Sequence, residues 1–209
     1  MDDVRSRYKR IFDDGSDTDR MVFFSDAVFA IAMTLLVIDL AVPEDRHGTA
    51  GEVLLDLWPN FLAYALSFTI IAINWVSHYR RYRVIKTHDS TLLLLNLVLL
   101  FFVALLPFPT SLLSSYSGEA PAVALYAFVV GLLSVLQWAT WQYAYSKGMV
   151  DKSVDQGLFR WVRLNQFAVP IVFWASIPIA LLWDGSIAMW FWFALFPVNI
   201  VVGRLSKKY

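Results

Sequence analysis

The chain has 209 residues, 58% of them hydrophobic and 16% charged, where a soluble domain carries about 25% charged residues. That composition excludes an ordinary water-soluble domain, and the absence of cysteine excludes a disulfide framework and a thiolate metal site. The formal net charge is zero, but it conceals a strong asymmetry in where the basic residues lie.

Residues 1–19 mix Arg5, Arg7, Lys9 and Arg10 with Asp13, Asp14, Asp17 and Asp19, and read as a solvated N-terminal tail. Six apolar blocks follow, at roughly 21–42, 54–77, 91–113, 121–145, 160–183 and 186–203. A helix rises about 1.5 Å per residue, so about 20 residues cross a hydrocarbon core about 30 Å thick. The first block is too long for a signal-peptide core, carries Asp26 near its start and ends in Asp39-Leu40-Ala41-Val42-Pro43. It reads as a retained helix. Pro107, Pro109, Pro170, Pro178 and Pro197 fall within or near the ends of blocks and predict kinks, not breaks. Trp183-Asp184-Gly185-Ser186 reads as a tight turn.

All but Arg46 of the 17 Lys and Arg lie before the first block, between the second and third, around the link from fourth to fifth, or after the sixth. By the positive-inside rule both termini are cytoplasmic. The basic loops are topology signals, and no nucleic-acid partner is expected. The organisation is thus a tail, 1–19, one all-α membrane domain of six helices, 20–205, and a short cytoplasmic end, 206–209.

Catalytic chemistry finds no footing. The three histidines, His47, His78 and His88, lack metal-ligand spacing, and no GxSxG, Walker A or GxGxxG motif occurs. Polar residues within the blocks are mostly amides, Asn60, Asn74, Asn96, Gln137, Asn165, Gln166 and Asn199. Such groups hold membrane helices together at about 0.6–2 kcal/mol each. No enzyme is expected, and no cofactor.

On a helical wheel at about 100° per residue, with Ile31 at zero, Leu35 falls at about +40° and Ile38 at about −20°. Thr34 lies on the shoulder at about −60°, and Phe24 at about +20°, while Asp26 and Ser25 fall near −140° and +120°. Ile31, Leu35 and Ile38 form one aliphatic ladder. By periodicity alone that ladder faces lipid, protein or a pore.

Arg20-x-x-x-Phe24-Ser25-Asp26, followed by an Ala-, Ile- and Leu-rich run, resembles the RxxxFSD signature of the transmembrane protein 175 family of potassium-permeable channels. The resemblance extends to six helices with both ends inside, and to the bacterial type with a single repeat. It implies a homotetramer in a bacterial cell membrane, in contact with lipid, passing potassium and other monovalent cations. It further implies that the first helices surround the pore, with Ile31, Leu35 and Ile38 as the constriction and Thr34 as a hydroxyl ring beside it. The TVGYG filter of ordinary potassium channels is absent, as it is from the family.

Arg20, Phe24, Ser25 and Asp26 are then a frame around the pore. An Arg20–Asp26 pair within one helix is out of reach, because neighbours on a helix face stand three or four positions apart. Candidate framing partners are Asn74, Trp75 and His78 at the end of the second block, although an interfacial aromatic belt equally accounts for Trp75. At the opposite mouth lie Asp39, Glu44, Asp45, Glu52 and Asp56 with Arg46. These carboxylates read either as a solvated loop that lacks positive charge for topological reasons or as a ring that attracts cations, with Asp39 the foremost candidate for the latter. The rival readings are a secondary transporter of a small cation or solute and a non-conducting membrane scaffold.

Overall fold

A computed structural model of the chain describes residues 18–42, 49–195 and 197–198, with the side chains of Asp39 and Asn165 outside the description. Helix α1, Asp19–Leu35, opens with an acidic residue in its first turn, which suits the positive end of the helix dipole. It runs straight into a 3₁₀ turn, Leu36–Leu40. A short helix, α2, Ala50–Asp56, is closed at its start by a capping box between Thr49 and Glu52. Helix α3, Trp58–Tyr82, has Pro59 in its first turn and Arg80 and Arg81 in its last.

Helix α4, Ser90–Leu105, starts from the Asp89 carboxylate, which accepts the Leu92 N–H at 2.8 Å. It is separated by one residue from α5, Pro107–Ser115. Helix α6, Ala120–Ser146, is followed by α7, Gln156–Asn165, and α8, Ala168–Leu182. A last helix, α9, Gly185–Phe191, continues as a 3₁₀ turn, Trp192–Ala194.

Five stretches among the described residues are long and apolar enough to cross a membrane: Asp19–Ile38, Trp58–Tyr82, Ser90–Ser115, Ala120–Ser146 and Gln156–Leu182. Gly185–Ala194 is a shorter apolar helix. The sixth expected block, 186–203, passes beyond the described residues, as do most of the tail 1–19 and the end 206–209.

Two boundaries differ from expectation, and proline accounts for the first. The fifth block was expected to run unbroken from 160 to 183, yet α7 and α8 are separated at Gln166 and Phe167. Pro170 has no N–H for the Gln166 carbonyl and its ring crowds that group. The chain there tightens to i−3 bonds, Gln166 N–H to the Arg163 carbonyl at 3.4 Å and Phe167 N–H to the Leu164 carbonyl at 3.2 Å. The second block starts later than 54, because Leu55 and Asp56 belong to α2, and Leu57 joins α2 to α3.

The core is continuous across the bundle. Phe29, Ala32 and Leu36 from the first span meet Ile71 of α3, Leu99 and Val103 of α4, Tyr126 and Val130 of α6, and Phe173 of α8. Helix α1 packs on α3 and α4, and α6 packs most extensively on α8. Gly131 permits that approach, since a Cβ there would run into the Trp174 indole. The Trp174 Nε1–H donates to the Phe128 carbonyl at 3.3 Å across the same contact.

The links after α3 and after α6 lie at one end, clasped by an isolated bridge between Ile85 and Val150. Lys86 N–H donates to the Met149 carbonyl and Asp151 N–H to the Val84 carbonyl, both at 2.8 Å. Gly118 and Gly185 touch at the opposite end.

Replacing Gly131 with Val forces either Trp174 or the α8 backbone away from α6. Overpacking of this kind costs about 1–3 kcal/mol. Gly131→Val is therefore expected to melt several degrees below the parent in detergent, and an unchanged melting temperature would contradict the close contact.

Candidate functional site

The first span has two faces of opposite character. Met21, Ser25, Phe29, Ala32 and Leu36 are buried. On the other side Ile31, Leu35 and Ile38 are 57%, 41% and 64% exposed in the single chain, and Phe24 is exposed beside them. Ile38 stands in the 3₁₀ turn and not in the α-helix, so the continuous wheel misplaces it. Residues three apart eclipse in a 3₁₀ helix. Ile38 therefore stacks more nearly over Leu35 than the wheel suggests. Thr34 is exposed, and its hydroxyl donates to the Ile31 carbonyl at 2.8 Å.

Asn96 is the hub of the buried face. It is wholly buried in α4, and its Nδ2 donates to Ser25 Oγ of α1 at 3.0 Å. Ser25 in turn donates to the Met21 carbonyl at 2.8 Å. Asn96 Oδ1 accepts from Tyr82 Oη at 3.1 Å and lies 2.9 Å from His78 Nε2, both on α3. An amide oxygen only accepts, so the His78 proton sits on Nε2. His78 Nδ1 has no hydrogen-bond partner among the described residues. The His78 ring stacks on Tyr82 at 4.1 Å between centroids and meets Phe29 at 5.4 Å. One amide thus joins three helices.

A second tie runs alongside. Trp75 Nε1 of α3 donates to Asp26 Oδ1 of α1 at 2.8 Å, an N–H to carboxylate bond. A third joins α3 to α6. Gln137 Nε2 donates to Asn74 Oδ1 at 2.6 Å, while Arg81 Nη1 donates to the Gln137 carbonyl at 2.9 Å. Arg81 Nε also donates to the Ser77 carbonyl at 2.9 Å.

Of the signature residues, the structure brings Asp26 to Trp75 directly and Ser25 to His78 through Asn96. Asn74 turns away to α6. Arg20 lies exposed in the first turn of α1, and no bond joins it to Asn74, Trp75 or His78 among the described residues. Tyr82 and Arg81 were not foreseen as members of these ties, whereas Asn96 and Gln137 were expected to join helices but without named partners. Asn96 did offer a signal, as a lone amide within Leu92–Leu100.

At the other end of α1, Asp39 lies in the 3₁₀ turn, and Glu44, Asp45 and Arg46 fall outside the described residues. Glu52 is committed to its helix cap: the Thr49 backbone N–H donates to its carboxylate at 2.6 Å. That bond, with a further one from the Thr49 hydroxyl, holds the Glu52 carboxyl below its ordinary pKa. Asp56 is exposed at the end of α2. Among the described residues no three His, Asp or Glu side chains gather as metal ligands.

A family model described as "Endosomal/lysosomal potassium channel TMEM175" matches residues 20–107, the segment that holds every residue of the Asn96 and Asp26 ties. A protein of Streptomyces collinus named as a potassium channel is 33% identical over 196 residues, covering 88% of this chain and 95% of that one. Another of that name, from Chamaesiphon minutus, is 38% identical over 135 residues, 62% of this chain and 66% of its own length. The crystal structure of a lysosomal potassium-selective channel TMEM175 homologue from Chamaesiphon minutus superposes with a TM-score of 0.73 at 28% identity, covering 92% of this chain and 99% of that one.

Asn96→Leu strands the Tyr82 hydroxyl and the His78 N–H in an apolar core, at about 1–3 kcal/mol for each unsatisfied group. A clear fall in melting temperature is expected. Asp26→Asn keeps an acceptor for Trp75 whereas Asp26→Ala removes it, so the Asn variant should melt nearer the parent. Equal losses for the two would remove the hydrogen bond as the cause.

Proposed function

We propose, on the premise that this chain belongs to the TMEM175 family of channels, that it conducts potassium passively through a pore formed between copies of itself. The two bacterial relatives are named potassium channels, and the solved homologue is described as potassium-selective. The chain is a multi-pass membrane protein and a potassium-permeable channel, not an enzyme.

The placing of the pore rests on one observation. Ile31, Leu35 and Ile38 are exposed on the face of the first span that the buried Ser25 and Phe29 leave outward. Among the described residues a cavity beside His78, Arg81 and Trp141 measures about 10 Å³, too small for an ion path, and we place the passage between subunits. We assign four copies, six spans in each, with the basic end in the cytoplasm of a bacterial cell.

Four Ile31, Leu35 and Ile38 side chains around the axis form an apolar constriction, which stops ions by dewetting when narrow. The Thr34 proton is committed to the Ile31 carbonyl, which leaves oxygen lone pairs to face a passing cation. Ser25 and Asp26, with Phe24 and Arg20 at the helix start, frame this face through Asn96, His78 and Trp75. Asp39, next to Ile38 in sequence, forms an acidic ring at the outer mouth that concentrates cations.

Potassium and sodium gradients across liposomes test the function. The expected reversal potential follows the cation gradients, whereas saturable flux coupled to a second ion would establish a transporter instead. Ile31→Ala, Leu35→Ala and Ile38→Ala are each expected to raise conductance severalfold or weaken selectivity. Unchanged currents in all three would remove the pore assignment. Asp39→Asn should lower conductance at low salt and not at about 1 M, where screening shortens to about 3 Å. Chemical crosslinking of the purified protein is expected to stop at four copies.

A further inference from the structure

Helix α7 is too polar at its start to be the opening of a simple span, and too apolar along one edge to be a simple loop. Phe159 fixes it to the protein. That side chain is buried against Trp141 and stacks on Tyr145 at 3.8 Å between ring centroids. Relative to Phe159, at about 100° per residue, Leu158 and Trp161 lie near −100° and −160°, while Arg163 and Arg160 lie near +40° and +100°. Leu158 and Trp161 are 46% and 44% exposed. The helix therefore presents an apolar edge and a basic edge on either side of its anchored face.

Its position is constrained by the chain. Only Gln166 and Phe167 separate α7 from α8, the apolar part of the Gln156–Leu182 stretch. The Ile85–Val150 bridge places the preceding link with the basic link after α3. No acidic residue occurs from Gln156 to Trp183, and no ion pair reaches either guanidinium among the described residues. Arg163 leans over the Phe159 ring, 5.8 Å from its centroid. Just before the helix Lys147 and Lys152 are matched by Asp151 and Asp155, so the net positive charge of this segment is that of Arg160 and Arg163.

We propose that α7 lies in the membrane interface and binds anionic phospholipid, with Leu158 and Trp161 among the acyl chains and Arg160 and Arg163 on headgroup phosphate. A zwitterionic surface offers the apolar edge the same environment but no net charge to the guanidinium groups. The charge complementarity, together with the two-residue link to a membrane span, favours lipid over a soluble partner. The proposal requires that the chain spans a membrane. It does not require that the pore assignment be right.

The test uses the full-length purified protein. Delipidated in detergent, it is titrated with phosphatidylglycerol or phosphatidylcholine and its melting temperature followed. The expected half-maximal stabilisation comes at about tenfold less phosphatidylglycerol. R160Q/R163Q should abolish that preference and R160K/R163K should keep most of it. Hydrogen exchange of residues 156–165 is expected to be slower in phosphatidylglycerol nanodiscs than in phosphatidylcholine ones, a readout that needs no variant. Equal responses to the two lipids, or an undiminished preference in R160Q/R163Q, would overturn the proposal. So would protection of 156–165 that follows protein concentration and not lipid charge, which would mark an interface between copies.

Discussion

A primary amide buried in a run of leucines must find partners or cost the fold its desolvation, and Asn96 finds them on two other helices. Its oxygen serves His78 and Tyr82 and its nitrogen serves Ser25. Each bond is modest by itself. Together they set the rotation and height of α1 against α3 and α4, because a shift of one residue in any of the three helices would strand several polar groups at once. The outward direction of the aliphatic ladder follows. With Ser25 turned inward, Ile31 is carried about 120° away and Leu35 about 80°. The polar ties determine where the apolar side chains point.

The remainder of the bundle is held differently. Between α6 and α8 shape prevails, with Gly131 admitting an indole and Phe173 set against Tyr126. Polar contacts punctuate it, such as Tyr126 Oη with Ser67 at 2.9 Å, Ser67 also accepting from Thr110 at 2.8 Å, and Trp192 Nε1 donating to Ser176 at 2.9 Å. Helices α1, α3 and α4 thus carry a dense hydrogen-bonded frame, and α6 with α8 supplies a packed buttress. The Arg81 and Gln137 contacts connect the two parts.

Spans were legible because hydropathy over about 20 residues is a property of composition, which a sequence displays directly. Their ends were less so. A smoothed apolar run passes over Gln166 and Phe167 without notice, while the backbone there responds to a single missing N–H at Pro170. The site divides in the same way. The face of α1 opposite Ser25 could be read from period alone, since one helix fixes it. Trp75 could not be assigned, because an indole at a helix end serves an interface or a carboxylate equally well, and only the position of α1 decides. The pairing of Asn96 with Ser25 spans 71 residues of sequence, and no local pattern encodes which distant helix a lone amide will meet.

The 3₁₀ turn after α1 bears on the ladder's shape as well as its direction. A 3₁₀ helix rises about 2.0 Å per residue against about 1.5 Å for the α form. Over the three residues from Leu35 to Ile38 this amounts to about 6 Å instead of about 4.5 Å. The two side chains are brought into line and moved apart in the same stroke. Around a common axis, that geometry makes separate collars set one above the other, where a continuous α-helix would wind them into a spiral stair.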